Sequence, residues 1–194
     1  LAGQLREQAQ LAASHAARNA TIAGFARRLL SCTSERMIAD VVVHELSRLF
    51  GCNAVLLVDD DEPRVVASTL GNSKLAPNDL AAAAVTLATG DAVGRGVRRL
   101  DLVDWQFRPI QSAQTTLAAI GLARADGVPP ISGHQLQLLE NLLDQAALAM
   151  ERAQLDREAR EVAKLRERDA IRSSLLASIG EDFKPSLNAI GAAV

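Results

Sequence analysis

The chain has 194 residues, 48% of them hydrophobic, with a formal net charge of -2 and a sequence pI near 5.9. That is enough for one folded domain with helical extensions, and it lacks the basic surplus that a nucleic-acid surface needs. Aromatic residues are only 3%, with one Trp and no Tyr, so a base-stacking platform or an aromatic-lined cofactor pocket has little to draw on. Cys32 and Cys52 have no further cysteine or histidine at metal-ligand spacing, so neither a disulfide framework, a zinc site nor a resident cofactor is expected. A reduced, cytoplasmic setting fits this usage. No window reaches the roughly 18 apolar residues of a membrane span, so no membrane contact is expected of this stretch. The sequence opens at Leu1 and ends in an apolar helical run, residues 189–194, without a cap, which reads as a piece of a longer protein.

Residues 1–31 are rich in Ala, Gln, Arg and Leu and predict one long helix. Its stripe is Leu1, Leu5, Ala12, Ile22, Phe25 and Leu29, interrupted by Gln8, His15 and Asn19, so its first half is expected to pair with another helix rather than enter a core. Thr33 or Ser34 should cap a second helix over residues 35–50, with Met37, Ile38, Val41, Val42, Leu46 and Leu49 inward and Gly51 as its stop. A hairpin follows, with strands at 54–58 and 64–68 around an Asp59-Asp60-Asp61-Glu62-Pro63 turn. Pro77 with Asn78 or Asp79 opens an alanine-rich helix, about 80–89, that Gly90 closes. Residues 91–97 read as a flexible loop, residues 105–110 and 115–123 as two strands, and Ser132 with Gln135 as a capping box for the last helix. This order predicts an α+β domain, an antiparallel sheet with its helices to one side.

The last helix carries apolar residues at a seven-residue step: Leu148, Leu155, Val162, then Asp169 as an interruption, then Leu176 and Phe183, with Leu165 and Ile179 three places after Val162 and Leu176. Such a seam predicts a coiled coil. At about 1.5 Å per residue, a helix over 132–184 is longer than a domain is wide, so a parallel homodimer is the expected partner, with Asp169 and Arg172 as a weak polar layer. Glu181 falls five places after Leu176, on the outward side.

The order of short motifs then resembles a known family. Gly94-Arg95-Gly96, Gly121-Leu122, Leu138-Leu139-Glu140 and Gln145-Ala146-Ala147-Leu148-Ala149-Met150-Glu151-Arg152 are similar to the GAF-type domain of the KdpD group of sensor histidine kinases, and Leu175-Leu176-Ala177-Ser178-Ile179 looks like the approach to that family's phosphoacceptor box. The resemblance implies a GAF-like α+β domain at 32–150 behind a signalling helix at 1–31, followed by a connecting coiled coil at 151–174 and the start of a dimerisation and phosphoacceptor helix at 175–194. The family's Ser-His-Asp-Leu-Arg-Thr-Pro-Leu falls on Gly180-Glu181-Asp182-Phe183-Lys184-Pro185-Ser186-Leu187, so Glu181 stands where the phosphoacceptor histidine should be, with Asp182 kept as its acidic neighbour. A carboxylate is a poorer nucleophile than imidazole and cannot form the phosphohistidine, so the site is expected to be inactive.

The function implied is a sensory and dimerisation module of a two-component sensor kinase, with a response regulator or a partner kinase downstream. ATP is expected only at a kinase domain of a longer parent, itself open to inner-membrane anchoring and to a potassium or osmotic signal. Two alternatives stay open: a non-enzymatic dimeric adaptor or pseudokinase, and a small-molecule-binding GAF receptor. Leu117, Ala118, Ala119 and Ile120 suggest a filled interior, and Gly94-Arg95-Gly96 lacks the ending of a phosphate loop. His44 reads as a partly buried structural residue, His15 and His134 as surface or interface residues, and the two cysteines as packed thiols.

Overall fold

A computed structural model describes the backbone of residues 2–71, 74–97, 103–113 and 115–191, and the side chains of the same residues apart from 2, 3, 5 and 177–191. In chain order the elements are α1 (Ala2–Leu30), α2 (Glu35–Phe50), β1 (Asn53–Asp60), β2 (Glu62–Ser68), α3 (Pro77–Thr89), β3 (Val93–Gly94), β4 (Gln106–Gln111), β5 (Thr116–Ala123) and α4 (Gly133–Gly191). The chain divides into two units, Leu1–Ala153 and Gln154–Val194.

The first unit is built on a five-stranded antiparallel sheet in the order β2-β1-β5-β4-β3. Local chemistry sets most of its boundaries. The Ser34 hydroxyl accepts from the Met37 N–H at 3.3 Å and starts α2, while Gly51 ends it at φ 61°. The acidic turn closes tightly, with Asp60 opposite Glu62 and Asp61 alone at the tip at φ 62°. Gly90, at φ 71°, ends α3. Gln135 accepts from the Ser132 N–H at 3.1 Å and from its hydroxyl at 2.6 Å, the back-bonding half of the capping box that opens α4.

Alternation along the strands divides the buried side chains between two faces. Ala54 and Leu56 of β1, Ile110 of β4, and Ala118, Ile120 and Leu122 of β5 pack with Phe25 and Leu29 of α1, with α2, and with Leu139, Leu142 and Ala146 of α4. Val55 and Leu57, with Phe107, Trp105 and Val103, face the other way and pack with Ala82 and Ala83 of α3. The expectation of helices to one side is therefore corrected: α3 covers the second face. Its Ala81-Ala82-Ala83-Ala84 run lies close to a sheet, but alanine periodicity carries no information about which face it covers.

Two further expectations change. In α2 the buried stripe is Ile38, Ala39, Val42, Val43, Leu46 and Phe50, rotated from the one expected, and Met37 is exposed. Residues 91–97 are no simple flexible loop: they contain β3, paired with β4 through Val93–Phe107 and Gly94–Gln106. Gly94 sits at φ 109°, and a Cβ there would lie 2.1 Å from the Trp105 carbonyl oxygen, so only glycine permits this pairing.

Candidate functional site

Arg95 shows what the Gly-Arg-Gly segment does. Its Nη1 donates to the Gly127 carbonyl at 2.6 Å, its Nη2 to the Asp104 carboxylate at 2.6 Å, and its Nε to the Val103 carbonyl at 3.4 Å. With all three nitrogens engaged, the guanidinium ties the loop after β5 to the approach to β4, and it is not offered to an anion. Nearby, Asp79 in the first turn of α3 is buried and accepts from the Asp104 N–H at 3.2 Å. Burial pushes its carboxyl above the usual range. These contacts hold α3 over the face carrying Trp105 and Phe107, whose ring centroids lie 6.4 Å apart. That face is packed by Val55, Leu57, Val93, Val103, Trp105 and Phe107 against Ala82 and Ala83, while Ala118 and Ile120 of β5 are fully buried on the opposite face and Leu117 is half-buried there.

Sequence reading missed the polar joint on the opposite face. Glu45 is only 6% exposed, yet its carboxylate meets Arg28 of α1 at 2.5 Å and Arg48 at 2.7 Å. The hydrogen bond from Arg48 leads the causes that hold its pKa below the ordinary value. This clamp, with Phe25 and Leu29, fixes the C-terminal half of α1, whereas its residues 6–17 are exposed, as the weak stripe implied. A buried acid one turn from an arginine, with a second arginine in the preceding helix, is a pattern that sequence spacing alone leaves ambiguous.

His44 is exposed rather than partly buried, its Nδ1 lying 2.8 Å from the Asp40 carbonyl, because Val43 and Glu45 take the inward positions. His15 and His134 are also exposed. Cys32 and Cys52 are free thiols, the second buried. Among the described residues no group of three or more His, Cys, Asp or Glu could hold a metal ion. Nor is any helix among them long and apolar enough to cross a membrane.

What stands out is the side-chain inventory of α4. Within the first unit Leu139, Leu142 and Ala146 are fully buried, but Leu148 is 60% exposed. In the second unit Leu155, Val162, Leu165 and Leu176 are between 47% and 62% exposed, and Ile171 and Leu175, which the seven-residue pattern left out, are exposed as well. These side chains are large, apolar and uncovered along one helix. Of the predicted seam, Ile179 and Phe183 belong to the helix but their side chains lie outside the described residues, as do those of Glu181 and Asp182.

Comparison with known proteins assigns the fold. The GAF domain family profile matches residues 34–152. The sensor protein KdpD of Clostridium acetobutylicum is 24% identical over 198 aligned residues, covering 98% of this chain but only 22% of that protein. Among solved structures, the GAF domain of the potassium sensor histidine kinase KdpD from Escherichia coli superposes with a TM-score of 0.62 at 20% identity, covering 72% of this chain and 96% of that one. The GAF domain of an Acinetobacter phosphoenolpyruvate-protein phosphotransferase gives 0.53 at 12% identity, covering 70% and 93%. With the five-stranded antiparallel sheet, its helices on both faces and the profile match over most of the compact unit, the chain belongs to the GAF domain family.

Proposed function

We propose that this chain is the sensory and dimerisation module of a two-component sensor kinase of the KdpD type, acting in the cytoplasm and signalling through paired α4 helices. The observation that carries the reading is the exposed series Leu148, Leu155, Val162, Leu165 and Leu176, because it leads out of a GAF domain whose own core is already filled. The kinship with KdpD sensor proteins over nearly the whole chain supports the assignment to that class. Burying each such side chain against a second copy contributes about 1.5–3 kcal/mol, which offsets the ordering of a long polar helix. Asp169 and Arg172 interrupt the seam and make its middle the easiest place for a change of register.

The module acts by geometry, not phosphoryl chemistry. Glu181 occupies the position at which the family carries its phosphoacceptor histidine, and a carboxylate there cannot form the phosphohistidine that is passed to a response regulator. That substitution favours a second reading, a non-enzymatic adaptor or pseudokinase that controls a partner kinase or response regulator through the same helices.

Cysteine cross-linking tests the pairing. Val162→Cys, on the seam, should form an interchain disulfide readily under mild oxidation, whereas Arg160→Cys, two places away on the outward side, should not. Equal yields at the two positions, or none at either, would remove the proposed seam. A hydroxylamine-sensitive acyl phosphate on Glu181 of the intact parent, after incubation with labelled ATP, would contradict the geometric mode of action.

A further inference from the structure

Among the described residues three buried polar atoms lack a hydrogen-bond partner, Thr86 Oγ1, Gln106 Oε1 and Arg108 Nε, and only the last belongs to a charged group. Arg108 lies on β4 opposite Ile120, on the face that packs against α4, and is half-buried. Its Nε is buried without a hydrogen-bond partner among the described residues. Burial pulls the guanidinium below its ordinary pKa, and the attraction of Glu140 only opposes that shift. A guanidinium N–H withdrawn from water without an acceptor is costly, and the part of Arg108 that stays accessible can take an external partner.

The surroundings say what kind. Arg108 lines a cleft of about 290 Å³ between the sheet edge and α4, with Glu140 and Asp144 one helical turn apart on its α4 wall and Asp91 at the loop after α3. Leu143 and Ala92 add apolar lining, and Gln111 braces the rim by donating to the Gly90 carbonyl at 3.1 Å. The volume is near the lower end of small-molecule sites, about 300 Å³, which suits a metabolite rather than a nucleotide. A simple anion could satisfy Arg108 only by facing the carboxylates of Glu140 and Asp144, and a simple cation would leave the guanidinium unpaired. A neutral molecule carrying both charges meets both demands.

We propose that this cleft binds a small zwitterion of the α-amino acid type, its carboxylate on Arg108, its ammonium toward Glu140 and Asp144, and a modest apolar side chain against Leu143. A planar guanidinium pairs a carboxylate with two parallel hydrogen bonds, and the carboxylate pair on α4 takes the ammonium donors. Because Arg108 belongs to the sheet and Glu140 to α4, the ligand joins the sensory sheet to the signalling helix. Binding stands on the cleft alone, and only its consequence for α4 rests on the relay proposed above.

The probe is L-valine, titrated into the intact chain by calorimetry, beside isovalerate, which lacks the ammonium, and isobutylamine, which lacks the carboxylate. Saturable binding of L-valine is expected, with both half-molecules, Arg108→Gln and Glu140→Gln each weakening it by about tenfold or more. Circular dichroism of the two variants should be unchanged, since neither side chain fills the core. Absence of saturable binding by L-valine, L-alanine and L-leucine overturns the site. Equal binding of isovalerate or isobutylamine overturns the zwitterion assignment, and undiminished binding by Arg108→Gln overturns the location. Cross-linking of Val162→Cys with and without L-valine then separates the two levels: binding without any change in cross-linking leaves the site standing and rejects its coupling to α4.

Discussion

Gly121 offers the sharpest test of the packing beneath the module. It lies on β5 between Val55 of β1 and Phe107 of β4, its partners in the sheet register. A Cβ at this position would sit 2.5 Å from Phe107 Cε1 and 2.8 Å from Val55 Cγ2, about 1 Å inside ordinary carbon–carbon contact. Neither neighbour has room to withdraw, since Phe107 is fully buried beside Trp105 and Val55 lies in the same cluster. Gly121→Ala should therefore cost about 2–3 kcal/mol, toward the upper end of overpacking penalties. Phe107→Leu removes the clashing ring edge, so the double variant should recover about 1–2 kcal/mol relative to the sum of the single changes. Trp105 is the sole tryptophan and sits beside Phe107, so urea unfolding followed by its fluorescence reports on this face directly. A loss below about 0.5 kcal/mol for Gly121→Ala, or no coupling to Phe107→Leu, would refute the picture of a face filled by side chains.

Other consequences follow from buried polar groups and from the seam. Glu45→Gln should destabilise by about 1–2 kcal/mol, less than a fully buried pair because Arg28 and Arg48 are half to two-thirds exposed. The folded-state pKa of Glu45 is depressed, so its contribution is present above the unfolded value and is lost as pH falls through the folded one; acid titration of stability should be shallower in the Gln variant. Cys52, whose thiol burial pushes up to about 11, should react with maleimide at neutral pH only after unfolding, and more slowly than the half-buried Cys32. Similar rates for the two thiols would argue against the closed packing around Cys52.

Where local chemistry decides structure, the residues announced it. Ser34, Gly51 and Gly90 mark helix ends through caps and positive φ, and the hairpin was expected where it stands, although its turn is tighter: Asp59, Asp60, Glu62 and Pro63 belong to the strands and Asp61 alone forms the tip. Facing was harder to read. Met37 is larger and more apolar than Ala39, yet Ala39 is buried and Met37 exposed, a choice that a helical stripe does not encode. The second face of the sheet, covered by α3, depends on strand pairings far apart in sequence, and the two-residue β3 is too short to leave an alternating pattern. Arg95 read as a loop residue because its three acceptors lie 8, 9 and 32 positions away. The seven-residue step on α4 is a local pattern, and its large apolar side chains are exposed as far as residue 176, together with Ile171 and Leu175, which lie outside that step.

Sedimentation equilibrium of the chain at micromolar concentration tests the central claim most directly, with Leu155→Glu as its partner experiment. Leu155 is 62% exposed, so the substitution leaves the GAF core untouched while placing a like charge from each copy into the seam. The account predicts a dimer for the unaltered chain, and for Leu155→Glu a dimer weakened about a hundredfold or more, with an unchanged domain melting profile. A monomer for the unaltered chain, or a dimer indifferent to Leu155→Glu, would contradict signalling through paired α4 helices.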